Sequence, residues 1–187
     1  YHAMIWTGHQ SCEMRHHQSD EANDTSHRDR RADGRSGRHH DHTLDLLDGA
    51  DTLPGAVDAL LAQLPDNGYL AVMAYLDRES GDGILAGVRK PLAMRTHRPV
   101  TFGWGPRFLH STGQFHKGGP PVGVYLQVTG DTSPDLPVPE RPFSFGELIT
   151  AQAAGDAQVL AAHGRPVLRL HLTDREAGVT RLLGVLR

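Results

Sequence analysis

Strand-length apolar runs alternate with helix-length amphipathic patterns from residue 44 to the end of the chain, and this alternation constrains the fold more than any other feature. Residues 69–76 form a continuous apolar run, which suits a strand buried on both faces rather than one with a wet side. Residues 100–104, 122–129 and 166–172 read as further strands. Between them lie helical patterns. Thr52 and Pro54 open one that runs through Val57, Leu60, Leu61 and Leu64 and is stopped by a Pro-Asp-Asn-Gly turn ending at Gly68. A second helix is predicted over residues 84–94, although it contains Gly87 and Pro91. Ser144 and Glu147 have the spacing of a capping box that opens a long helix to about His163. Thr173 and Glu176 repeat that spacing before a last helix ending near Leu186. The connection over residues 130–142 is proline-rich and has turn chemistry. Alternation of this kind gives a parallel sheet with helices on both faces and right-handed crossovers. The expected fold class is therefore α/β, a three-layer αβα sandwich with a mainly parallel sheet.

Residues 1–43 differ from this pattern. Apolar side chains are sparse there, charges of both signs are mixed, and eight of the chain's 13 histidines are crowded into the segment. Such a stretch buries too little surface to offset its ordering entropy, so it is expected to be a disordered His/Arg-rich tail ahead of a domain over residues 44–187. His16 and His17, with the cluster His39, His40 and His42, offer imidazoles to metal ions. Nothing fixes their geometry and no cysteine pair accompanies them, so no metal site is assigned. The single cysteine, Cys12, cannot form an internal disulfide. A net charge of −3 favours neither nucleic acid nor membrane as a partner. No apolar run reaches the roughly 20 residues that span a bilayer. A cytoplasmic location is the expectation.

The most polar loop follows the strand at 100–104. It runs from Gly103 to Pro120 and carries Arg107, His110, Ser111, Thr112, Gln114, His116 and Lys117 among several glycines. In parallel α/β sheets ligands bind outside the carboxyl ends of the strands, and this loop leaves such an end. An imidazole titrates near neutrality as a residue type, so a histidine at position 110 suits proton transfer. Ser111 and Thr112, at the start of a short helix, offer hydroxyls and backbone amides to a phosphate or to sugar hydroxyls, or simply cap the helix. Arg107 offers a fork of donors to an anion. Gln114 lies one helical turn beyond His110, and Lys117 could offset phosphate charge. His116 reads equally as structural. A Ser/His hydrolase is disfavoured, because adjacent residues point apart and no Gly-x-Ser-x-Gly elbow is present.

The Leu-His-Ser-x-Gly-Gln core ending at Gln114 resembles the signature of glucose-6-phosphate isomerases, in the form found in actinobacterial enzymes and transaldolase/isomerase fusions. The segment from Asp135 to Pro139, Phe145-Gly146, Ala151-Gln152 and Gly155-Asp156 are similar to the C-terminal part of the same form. The resemblance implies a flavodoxin-like second sugar-isomerase (SIS) domain from about residue 44 onward. It further implies interconversion of glucose 6-phosphate and fructose 6-phosphate without metal or organic cofactor, a homodimer formed through this domain, and His110 as the ring-opening histidine reaching into the partner's site. The family's first sugar-isomerase domain and its catalytic glutamate have no counterpart in these residues. The chain is accordingly expected to be the C-terminal part of a larger isomerase and weakly active or inactive alone. The alternative is a non-catalytic sugar-phosphate-binding SIS domain. Glu79 and Glu147 do not replace the missing base: the first reads as a solvated strand-end carboxylate, and the second is used by its capping box. Relatives often carry lysine after Phe-Gly-x-Leu, where this chain has Ile149.

Overall fold

The computed structural model describes residues 2–6 as backbone and residues 52–187 in full. Four parallel strands build the sheet: β2 (Tyr69–Tyr75), β3 (Val100–Trp104), β4 (Gly123–Gly130) and β5 (Val167–Leu172). A further strand, β1 (His2–Trp6), pairs antiparallel with β5, so the order across the sheet is β1-β5-β4-β2-β3. The helices are α1 (Leu53–Leu61), α2 (Arg89–Thr96), α3 (Thr112–Gly118), α4 (Phe145–Ala162) and α5 (Arg175–Leu186). The architecture is the three-layer αβα sandwich of flavodoxin-like type.

Alternation along the strands sends side chains to two separate cores. Leu70, Val72 and Ala74 of β2, Val124, Leu126 and Val128 of β4 and Leu168, Leu170 and Leu172 of β5 pack beneath α1, α2 and α5. On the opposite face Ala71, Met73, Tyr75 and Tyr125 meet Phe108 and the Ala153, Ala157 and Leu160 face of α4. β2 and β4 are central and covered on both sides, which accounts for the unbroken apolar sequence of β2 and the largely apolar one of β4, where the buried Gln127 donates to the Ala153 carbonyl at 2.9 Å.

Three local readings need correction. His2–Trp6 falls in the segment expected to be an unstructured tail, yet it supplies an edge strand whose ladder satisfies the outer backbone groups of β5. The remainder of that segment, with Cys12 and the histidine cluster, lies outside the described residues. The helix predicted over 84–94 is instead a 3-10 helix, Gly81–Val88, followed by α2. Pro91 explains the break: it has no N–H to give, so it is tolerated only in the first turn of a helix, and α2 starts at Arg89. At α5 the cap is Asp174, whose Oδ1 accepts the Ala177 amide at 3.0 Å, so the Thr173 and Glu176 box does not form.

The other capping expectations hold. Thr52 Oγ1 accepts the Gly55 amide at 3.2 Å with Pro54 in the first turn of α1. Ser144 and Glu147 make both reciprocal bonds of the box, at 3.1 and 2.7 Å. Asp135 reinforces that start by accepting from Ser144 Oγ at 2.5 Å and from the Gly146 amide at 2.9 Å. These bonds hold its carboxyl below the usual carboxylate range. Gly155 lies within α4, where a Cβ would meet nothing within 4 Å, although glycine inside a helix costs about 0.5–1 kcal/mol relative to alanine. Packing within this chain does not call for it.

Replacing Ser144 with alanine removes one cap acceptor and should lower the unfolding free energy by about 1 kcal/mol. Urea unfolding reads this as a lower midpoint at constant slope. An unchanged midpoint would mean that the box does not stabilise α4.

Candidate functional site

The strand order reverses between β2 and β4. From β2 one crossover leads to β3 on one side of the sheet, and the next leads past β2 to β4 on the other. The loops leaving the two strands therefore diverge and open a crevice at the switch point. A cleft of about 580 Å³ lies there. β2 and its loop contribute the wall from Tyr75 to Glu79, β3 the stretch from Trp104 to Arg107, and β4 Gly130 with Thr132 to Pro134; Ile149 of α4 and Arg175 of α5 complete it.

Most charges in the cleft are matched. Arg78 Nε meets Glu79 Oε1 at 2.6 Å, and the Glu79 amide is in turn received by Asp77. Arg175 binds the buried carboxylate of Asp82 through two nitrogens, with Nε at 2.9 Å. Arg107 differs: it is exposed on the cleft wall and makes no ion pair among the described residues. A cation left unmatched in a concave site is a ready anion ligand.

The loop from Gly103 to Pro120 folds by wrapping two aromatic rings. Phe108 is buried and stands edge-on to Tyr75 with ring centroids 5.6 Å apart. A Cβ at Gly103 or Gly113 would fall 2.9 Å from Phe108, and one at Gly105 would fall 2.5 Å from the Tyr75 ring. Three of the loop's glycines are thus required for close packing. A short 3-10 helix, Arg107–His110, leads into α3.

This folding separates the polar residues of the loop. His110, Ser111, Thr112 and Gln114 are exposed and do not line the cleft. Ser111 Oγ donates to the Phe108 carbonyl at 3.2 Å, and Gln114 Nε2 to the Leu109 carbonyl at 2.8 Å. Lys117 turns inward, where its Nζ lies 2.7 Å from Asp156 Oδ1, and it is occupied by that partner. Of the six candidates, Arg107 alone stands on the cleft wall.

Asp156 is the residue that sequence reasoning missed. Its carboxylate is buried, accepts the Tyr75 hydroxyl at 3.2 Å and pairs with Lys117, so α4, β2 and α3 meet on one charge. Burial, with the Asp156 charge and hydrogen bond added, pushes the Tyr75 phenol up and keeps it protonated as the donor. A signal for it existed in the sequence: Asp156 shares a helix face with Ile149, Ala153 and Leu160, and an acid on an apolar face calls for a buried partner. Arg165 is likewise buried and donates to the carbonyls of Lys117, Gly119 and Pro120, where it closes the carboxyl end of α3.

His116 is structural. It is 5% exposed, and its ring lies among Phe108, Tyr69 and Tyr125, the last at 5.2 Å. Burial pushes its pKa below the ordinary 6.5; nearby Asp156 opposes this, and Lys117 and Arg165 add to it.

A comparison with protein-family models gives no match, and a comparison with curated proteins gives none. Among solved structures the chain is similar to the hypothetical protein TT0462 from Thermus thermophilus, with a TM-score of 0.59 and 19% identity. The match covers 72% of this chain and 37% of that one, so the chain spans little more than a third of the length of its structural neighbour. This likeness shows the fold: an α/β domain of flavodoxin-like type. Among the described residues no helix is long and apolar enough to cross a membrane.

A depressed pKa means that folded His116 resists a proton which the unfolded chain accepts near 6.5. Its contribution to stability is present above that value and is lost as pH falls toward the folded pKa. Substituting His116→Gln should therefore flatten the fall in unfolding free energy between about pH 7 and about pH 5. Equal slopes in the two proteins would show that His116 does not couple folding to protons.

Proposed function

We propose that this chain is a sugar-isomerase (SIS) domain that binds a sugar phosphate and, within a larger isomerase, takes part in interconverting glucose 6-phosphate and fructose 6-phosphate. The observation that carries this reading is the position of the loop from Gly103 to Pro120. The segment with the isomerase-like signature leaves the carboxyl end of β3 beside the switch-point cleft and puts an unmatched Arg107 on its wall. In this reading Arg107 holds a phosphate or enediolate oxygen through its forked donors.

His110 is the ring-opening residue of the proposal. It gives a proton to the ring oxygen and takes one from the neighbouring hydroxyl; a carboxylate base then moves the proton from carbon 2 to carbon 1 through a cis-enediolate. Its exposure suits a residue that serves the site of a partner subunit in a homodimer. Ser111, Thr112 and Gln114 flank it as substrate-binding groups. Lys117 acts indirectly, since Asp156 already holds it. The proposed reaction requires no metal or organic cofactor, and the proposed setting is cytoplasmic.

The second reading is a sugar-phosphate-binding domain without catalysis. The carboxylates favour it: Glu79 lines the cleft but is paired with Arg78, and Glu147 is used at the start of α4. A base supplied by another domain distinguishes the two readings.

Calorimetric titration of the 187-residue chain with glucose 6-phosphate and fructose 6-phosphate, with a coupled isomerase assay on the same sample, tests the proposal. Binding with little or no turnover is expected, and Arg107→Ala should weaken binding by about tenfold. Failure to bind either sugar phosphate would overturn the reading; substantial turnover would show that the base lies within these residues, where His110→Ala should then abolish it. Ile149 stands in the cleft wall at the position where the resemblance expects a lysine. Ile149→Lys should consequently tighten sugar-phosphate binding in the same titration, and an unchanged or weaker affinity would remove that correspondence.

A further inference from the structure

The described residues leave one edge of the sheet open. β1 covers the outer side of β5, whereas β3 ends the strand order at the other side. The ladder between β2 and β3 shows which backbone groups remain. Leu70 N donates to the Pro99 carbonyl at 3.0 Å and Gly105 N to the Ala74 carbonyl at 2.8 Å, so the odd-numbered residues of this stretch face β2. The N–H and C=O groups of Val100, Phe102 and Trp104 therefore point away from the sheet, and no described residue bonds to them. Open edges are normally blunted by a charge, a proline or a bulge, because they otherwise pair with an extended chain. The Val-Thr-Phe-Gly-Trp sequence of β3 has no charge or proline, and its register with β2 runs without a bulge. Phe102 and Trp104 stand half-buried at this edge with ring centroids 4.9 Å apart, and Thr101 is exposed on the other face.

Helix α2, which packs beside β3, frames the edge with positive charge. Residues 89–98 hold Arg89, Lys90, Arg95, His97 and Arg98 and no acid. Arg95 reaches toward α5 and α1, where it meets the Val185 carbonyl and Asp58, and Arg98 pairs with Asp66. Helical spacing turns Arg89, Ala93 and Thr96 away from Arg95 and so toward the free edge. Arg89, Lys90 and His97 are exposed and make no ion pair among the described residues. The chain reverses between Thr96 and Val100, so His97 lies at the Val100 end of the edge and Arg89 toward its Trp104 end.

We propose that the β3 edge accepts an extended acidic segment of a partner protein, which joins the sheet as a further strand. Strand addition takes its affinity from main-chain hydrogen bonds and its selectivity from every second side chain. Side chains on one face of the segment meet Phe102 and Trp104, so apolar residues fit there. Carboxylates beyond them meet Arg89 and Lys90 at one end and His97 at the other. Charge complementarity selects this occupant: a second copy of the chain would bring the same cations to the edge and be repelled. Nucleic acid would satisfy the cations but offers no row of donors and acceptors to match the strand. The proposal stands independently of the sugar-phosphate reading.

The probe is an end-blocked synthetic peptide, Glu-Glu-Val-Thr-Val-Glu-Glu, titrated by calorimetry into the full 187-residue chain, with amide hydrogen exchange followed by NMR. In the free chain the amides of Val100, Phe102 and Trp104 should exchange faster than those of Thr101 and Gly103, and saturating peptide should slow them. A peptide with lysine in place of every glutamate should bind at least about tenfold more weakly. Arg89→Glu should weaken the acidic peptide by about tenfold. Val100→Pro removes an outward N–H and no ladder bond, so it should weaken binding as well. Circular dichroism checks the fold of both variants, and Arg89→Glu changes only an exposed side chain, so the test survives a misfolded Val100→Pro. Absence of peptide binding, or outward amides already protected in the free chain, would overturn the proposal. Self-association in sedimentation velocity that Val100→Pro abolishes would also overturn it, by giving the edge to a second copy. So would an oligonucleotide that binds as tightly as the peptide without slowing those amides, since the cations would then serve nucleic acid.

Discussion

The buried carboxylate of Asp156 is the constraint to which the polar side of the molecule conforms. Removing a charge from water costs several kcal/mol unless partners replace the lost solvation. Here a phenol from β2 and an ammonium from α3 replace it. Three elements distant in sequence must reach one point, and the loop between β3 and α3 is fixed at both of its ends as a result. Tyr75 is held at one end by its hydroxyl while its ring supports Gly105. Lys117 is held at the other, and Arg165 closes the helix just beyond it.

This arrangement divides one polar sequence segment into two kinds of residue. Those facing inward, His116 and Lys117, hold the layer of α3 and α4 together. Those facing outward, His110, Ser111, Thr112 and Gln114, remain at the surface, and Arg107 alone of the candidates stands on the cleft wall. A loop rich in histidine, hydroxyls and glycine therefore carries much of its chemistry for folding, with the glycines giving room to Phe108 and Tyr75.

The layered architecture was legible because burial on both faces leaves a trace in the sequence: the uninterrupted apolar run of β2 and the apolar stretch from Val124 to Leu126 in β4 suit strands covered on both sides. The capping box of α4 was legible for a similar reason, since hydroxyl and carboxylate three residues apart satisfy local backbone groups without help from the rest of the fold. Interactions between distant residues were not. Thr173 and Asp174 both can cap α5, and only the emergence of the chain from β5 selects Asp174. The strand His2–Trp6 is a short apolar stretch at the head of a polar segment, and its partner edge on β5 is remote in sequence. Nothing local to Lys117 signals that it faces inward, because that depends on an acid 39 residues away.

Gly105 closes against the Tyr75 ring with no room for a methyl group, and Tyr75 in turn belongs to the buried Asp156 cluster. One wall of the cleft is therefore continuous with the core and shares its intolerance of change. The lining residues Arg78, Glu79, Thr132 and Ser133 belong instead to the loops that leave β2 and β4. Substitutions are tolerated more readily at those loop positions than at Gly105 or Tyr75, so change accumulating in this cleft would gather on its loops while the packing of Gly105 on Tyr75 stayed the same.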